Sequence, residues 1–129
     1  MRVGKLAAAK TDAALELVEL SCTRLSVLHQ LEQSGKALPL GDLAQCLQFA
    51  KSNATQVADQ LEARDLVRRI PQTQDRRSIQ LELTEQGKAK HQEAVTALSP
   101  LAEKILLAFS AEERAQFESY LQRVSSLLE

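Results

Sequence analysis

Arg64, Arg68, Arg69, Arg76 and Arg77 fall within 14 residues and face only Asp65 and Asp75. Guanidinium groups at that density suit phosphate oxygens and the narrow, electronegative minor groove of duplex DNA, and charge alone is equally consistent with a solvated surface. Just upstream, Ser52, Asn53, Thr55, Gln56 and Gln60 lie in a stretch whose Ala54, Val57, Ala58 and Leu61 recur at helical spacing. The amides of Asn53, Gln56 and Gln60 hold a donor beside an acceptor, which is the pairing an adenine edge presents in the major groove, while the hydroxyls of Ser52 and Thr55 reach a phosphate or a thymine methyl. Lys51, Arg68, Arg69 and Arg76 are candidates for phosphate contacts, which set affinity and salt dependence but carry little sequence information. Asp59 is out of place on such a surface: it is expected to pair with a wing arginine and orient it, or equally to exclude one class of base. For each of these residues a plain solvated helix position is the competing reading.

Other chemistries find little support. No Ser-His-Asp set, paired carboxylates or phosphate loop stands out, so an enzyme is not expected and no cofactor is called for. Cys22 and Cys46 have no metal-ligand spacing, and two thiols make no disulfide framework for a chain of 129 residues. Either cysteine is open to a redox role, against the plainer reading of a small buried hydrophobe. Neither His29 nor His91 has a Cys or acidic partner at i+4, so no metal site is expected.

The chain is long enough for one domain, residues 1–129, and its 44% hydrophobic and 26% charged residues are ordinary for a packed protein. With Phe49, Phe109, Phe117 and Tyr120 as the whole aromatic complement, the core must come from Leu, Ala, Val and Ile, as in packed helices. No apolar run approaches the roughly 18 residues of a membrane span, and residues 1–10 are too short and polar for a signal peptide, so a cytoplasmic protein is expected. The net charge of −1 hides a gradient: residues 51–90 carry eight basic against six acidic side chains, and residues 91–129 three against six. Nucleic-acid binding needs a local positive field rather than a basic protein.

The elements that must position these residues follow from periodicity. A helix is expected from Leu6 to Val18, and a second begins at a Ser21 cap, carries Leu25, Leu28 and Leu31, and stops at Gly35. After a loop over residues 36–38, Pro39 opens a short helix with Leu40, Leu43, Ala44 and Leu47. The polar-faced stretch from Lys51 to Arg64 is the next helix, with Ser52 as a late cap. The period then changes: Ile79, Leu81 and Leu83 alternate with polar residues as a half-buried strand, Leu66 to Ile70 is its partner, and residues 71–77 form a charged turn. Thr84 caps a long helix that Pro100 is expected to kink or break, and Ser110 with Glu113 forms a capping box for the last one. Its stripe of Phe117, Tyr120, Leu121, Val124, Leu127 and Leu128 is more apolar surface than a domain of this kind needs, which points to pairing with a second copy; burial in the chain's own core is the alternative.

Helix, short helix, polar-faced helix and charged hairpin, in that order, describe a winged helix-turn-helix of about residues 21–84: a mainly α fold with a small β-hairpin wing. At Asp75 to Gly87, DRRSIQLELTEQG resembles the wing of the MarR family, with Asp75, Arg77, Leu83, Thr84 and Gly87 matching Asp-x-Arg and Leu-Thr-x-x-Gly. VADQLEARDLVRR and LSVLHQLEQSG extend the resemblance over residues 20–90. This chain has Ala50 where a Ser cap is frequent, Asp65 where Gly is common, and Gln56 in place of a frequent Arg. The resemblance implies a sequence-specific double-stranded DNA-binding transcriptional regulator. It implies a homodimer through the terminal helices, about 6–20 and 85–129, on a pseudo-palindromic operator, with Arg77 at the minor groove and Asp75 bracing the wing. It further implies a repressor relieved by a small ligand, an aromatic acid in many members, or by oxidation. A winged-helix module that uses the same surface for protein contacts is the alternative.

Overall fold

A computed structural model describes residues 2–72 and 75–129, with the side chains of residues 51, 72 and 75–78 outside the described set. The element order is α1 (Arg2–Glu16), α2 (Cys22–Ser34), β1 (Leu38–Pro39), α3 (Leu40–Cys46), α4 (Lys51–Ala63), β2 (Val67–Gln72), β3 (Asp75–Leu83), α5 (Glu85–Leu106) and α6 (Ala111–Leu128). The mainly α fold with a β wing is what the structure has.

Local chemistry sets most of the ends. Ser21 accepts from the Arg24 amide at the start of α2, and Gly35 closes it at φ 65°, a left-handed conformation that costs glycine no steric strain. Thr84 accepts from the Gly87 amide to open α5, and Ser110 and Glu113 form a reciprocal capping box for α6. Asp65 takes φ 58° at the turn leaving α4, which its short polar side chain tolerates better than most.

The core sits between α1, α2, α3, α4, the sheet and α5, which contributes the fully buried Ala94. Leu15, Leu28, Leu31, Leu43, Leu61, Val67 and Leu81 are its largest fully buried side chains, each contributing about 1.5–3 kcal/mol of apolar burial. Ala54, Val57, Ala58 and Leu61 turn one face of α4 into that core. Among the described residues no buried polar side-chain atom lacks a hydrogen-bond partner.

Several expectations need correction. The segment read as a loop over residues 36–38 contributes a third strand: the sheet order is β1-β3-β2, all antiparallel, with Leu38 opposite Leu81 and Pro39 opposite Gln80. The hairpin strands reach further than residues 66–70 and 79–83, because Pro71 lies within β2 opposite Ile79. The strand β2 is an edge of the sheet, where a residue without an N–H can be accommodated. Ile79 alternates in phase with the buried Leu81 but is 41% exposed, because it lies toward the tip, beyond the reach of the core. The helix α4 starts at Lys51 after Ala50 with no side-chain cap, so Ser52 is not a late cap. Pro100 does not break α5, which runs through it as one helix. The real break lies between α5 and α6, which meet at a bend of 106°.

Candidate nucleic-acid interface

With one face of α4 buried, its polar residues are left outside. Ser52, Asn53, Thr55, Gln56 and Asp59 are exposed and Gln60 is half-buried. Among the described residues, the side chains of Ser52, Asn53 and Gln56 make no hydrogen bond within the chain. They form a polar ridge on a helix whose other face is packed. Gln60 differs: its Oε1 accepts from Arg24 Nε at 3.1 Å, which holds the amide against α2. Arg24 has no signal in the sequence, because 36 positions separate it from its partner.

The β2 arginines divide. Arg69 donates to Asp59 and, at 3.2 Å, to Glu62 Oε1, while its backbone amide donates to Glu62 Oε2 at 3.2 Å. A guanidinium braced by two carboxylates of α4 fixes the base of the wing to the polar-faced helix. The Asp59 hydrogen bond is the largest of the influences that raise the Arg69 pKa. Arg69 is therefore a strut here, committed to protein carboxylates instead of a phosphate. Glu62, its second partner, went unnoticed in the sequence, although its position one turn beyond Asp59 on the same helix is a usable signal. Arg68 is more exposed and pairs with Glu82 across the sheet at 3.0 Å, an exposed pair worth about 0–1 kcal/mol that a phosphate can displace. Asp75, Arg76 and Arg77 begin β3; their side chains, like that of Lys51, lie outside the described residues.

The wing's attachment explains two motif residues. Thr84 Oγ1 donates to Asp65 O at 2.6 Å, and the Thr84 amide donates to Leu66 O at 3.2 Å. A Cβ on Gly87 would stand 2.0 Å from Leu66 O and 2.8 Å from Leu83 Cδ1. Only glycine lets the start of α5 lie this close to the turn joining α4 to β2. The Thr-x-x-Gly spacing is thus a cap and a close approach one helical turn apart.

Cys22 is half-buried and Cys46 exposed. Burial first, then Asp12, pushes the Cys22 thiol up, away from the thiolate that oxidation requires. No group of three or more metal-ligating side chains occurs among the described residues.

The last helix is the reverse of the body. No residue of α6 is buried, and Phe117, Tyr120, Leu121, Val124, Leu127 and Leu128 are all at least half exposed. Burial of this stripe in the chain's own core is thereby overturned. Ile105, Leu106, Leu107 and Phe109 continue the exposed apolar surface through the bend, and Val3 and Leu6 of α1 are exposed as well.

Comparison with known proteins agrees with this architecture. The MarR family model matches residues 20–79. The transcriptional regulator PecS of Dickeya dadantii is 30% identical over 129 residues, covering 98% of this chain and 78% of that protein. The transcriptional repressor MdtR of Bacillus subtilis is 30% identical over 103 residues, 80% of this chain, which spans 66% of MdtR. Among solved structures, the Staphylococcus aureus MepR–DNA complex superposes with a TM-score of 0.86 at 22% identity, covering 99% of this chain and 93% of that one. Named relatives of this kind are transcriptional regulators rather than enzymes. The chain belongs to the MarR family of transcriptional regulators.

Proposed function

We propose that the protein is a sequence-specific double-stranded DNA-binding repressor, cytoplasmic and homodimeric, whose body of about residues 21–84 reads the operator and whose terminal helices, about 6–20 and 85–129, join two copies. The observation that carries this reading is α4: a helix with one face in the core and an outer ridge of Ser52, Asn53 and Gln56 that bond to no partner among the described residues. Further support comes from the strut of Arg69 on Asp59 and Glu62, which holds the wing beside that ridge. The similarity to a protein solved with DNA favours the same surface. The apolar face of α6, unsupported by its own chain, favours assembly of two copies on an inverted repeat.

In this reading Gln56 and Asn53 select A·T pairs in the major groove, Thr55 and Ser52 support them, and Gln60 acts from its bond to Arg24. Lys51, Arg68 and Arg76 hold phosphates, Arg77 enters the minor groove with Asp75 bracing the turn, and Arg69 with Asp59 positions the wing. A small aromatic ligand, or oxidation at Cys46, are the candidate signals for release. Among the described residues no single helix is long and apolar enough to cross a membrane.

The test is operator binding across a salt series. Gln56→Ala should relax selectivity at one position per half-site by about 1–3 kcal/mol. Arg77→Ala should weaken all sites and lower the salt slope by about one unit, and Arg77→Lys should recover only part of the loss because a hydrated ammonium fits a narrow groove poorly. Wild-type binding by Arg77→Ala at every salt concentration would remove the wing from the interface and favour a protein-contacting module.

A further inference from the structure

Two histidines pin the winged body to the long helix that leaves it. His29 of α2 and His91 of α5 are 62 positions apart, yet His29 Nδ1 lies 3.0 Å from His91 Nε2, and the rings stack with centroids 5.3 Å apart and planes at 26°. At that separation one nitrogen must donate and the other accept, so the contact survives only while one of the two facing nitrogens is unprotonated. A second proton sets two N–H groups and two positive charges against each other. Beside the pair, Leu25, Val95, Leu98 and Ala102 line a cavity of about 400 Å³, an apolar flank that disfavours charge.

The charges around the pair act in both directions. Burial, first, and the charge of His29 lower the His91 pKa, while Glu32, one turn beyond His29 on α2, opposes them. On α5, Lys88 is paired with Glu85 and Lys90 with Glu93. On α1, which also packs on α5, Asp12 is engaged with the Cys22 amide.

We propose that the His29–His91 contact is a pH-sensitive joint between the winged body and the helix leading to the C-terminal apolar face, and that double protonation loosens α2 from α5 and weakens DNA binding. The second half rests on the DNA-binding reading above; the first does not. A histidine whose pKa is lowered by folding binds its proton more readily in the unfolded chain. It therefore contributes stability above the ordinary imidazole value, and that stability is lost as pH falls.

The experiment is an NMR titration of the full chain without DNA, beside operator binding and thermal melts, for wild type, His91→Gln and His29→Gln. Glutamine keeps a donor and an acceptor but cannot charge. In the wild type, the His91 ring should titrate below the ordinary value, the backbone amides of α2 and α5 around the pair should shift in the same transition, and melting temperature should fall with it. Those shifts should vanish in His91→Gln. Operator affinity should fall severalfold between about pH 7.5 and 5.5 in the wild type and stay flat in the variant. A His91 ring that titrates at the ordinary value, amides that ignore the transition, or the same pH dependence of affinity in wild type and His91→Gln each overturn the proposal. If no operator is bound at any pH, the DNA-binding reading fails, and the joint stands or falls on the amide shifts and melts alone.

Discussion

The winged body and the last helix use the same residue types to opposite effect. In the body, leucines spaced along α2, α3 and α4 close on Val67 and Leu81 of the sheet and leave almost no apolar area outside. In α6, a stripe of equal regularity has no buried residue and stays at least half exposed. Periodicity therefore says that a helix has an apolar face, and only the partner elements say which chain covers it. The body can be complete in one copy; α6 is complete only against another surface.

The largest effect is expected at Gly87, in the first turn of α5 where that helix meets the body. Gly87→Ala drives a Cβ into the Leu66 carbonyl, and overpacking against backbone should cost about 3 kcal/mol. Denaturant unfolding reads this directly, and an unchanged midpoint would mean that α5 does not approach the wing this closely. Changing Leu121 and Val124 together to Asp should act on assembly instead. Sedimentation should show monomers or insoluble protein, while the soluble fraction keeps the body's helical circular dichroism. A dimer that survives both changes would place the interface elsewhere.

The smallest effect concerns the thiols. Burial and Asp12 raise the Cys22 pKa, whereas Cys46 is exposed. A thiol reagent near neutral pH should therefore modify Cys46 well before Cys22. Equal rates would show that the α1–α2 corner opens readily, and faster labelling of Cys22 would revive it as a sensor.

What the sequence made legible was local. Ser21, Gly35, Thr84 and the Ser110–Glu113 box act within a few residues of themselves, and each sits where its chemistry predicts. The α4 stripe was equally readable, because Ala54, Val57, Ala58 and Leu61 repeat at helical spacing. Longer-range features were not. The two residues of β1 have no pattern of their own and become a strand only by meeting Leu81 and Gln80. Pro71 signals a turn locally, but an edge of the sheet accommodates it. At the site, the arginine cluster was visible as charge, but the commitment of Arg69 to Asp59 and Glu62 and the Arg24 bond to Gln60 depend on how α4 lies against β2 and α2.

Selection of binding sites from a random pool of duplex DNA by the purified protein decides whether the ridge of α4 reads an operator. The expected product is an inverted repeat with half-sites about one helical turn apart, relatively rich in A·T pairs because the exposed ridge of α4 offers amides and hydroxyls and no arginine. A pool without enrichment would contradict operator reading altogether, and a site dominated by G·C pairs would contradict the roles given to Gln56 and Asn53.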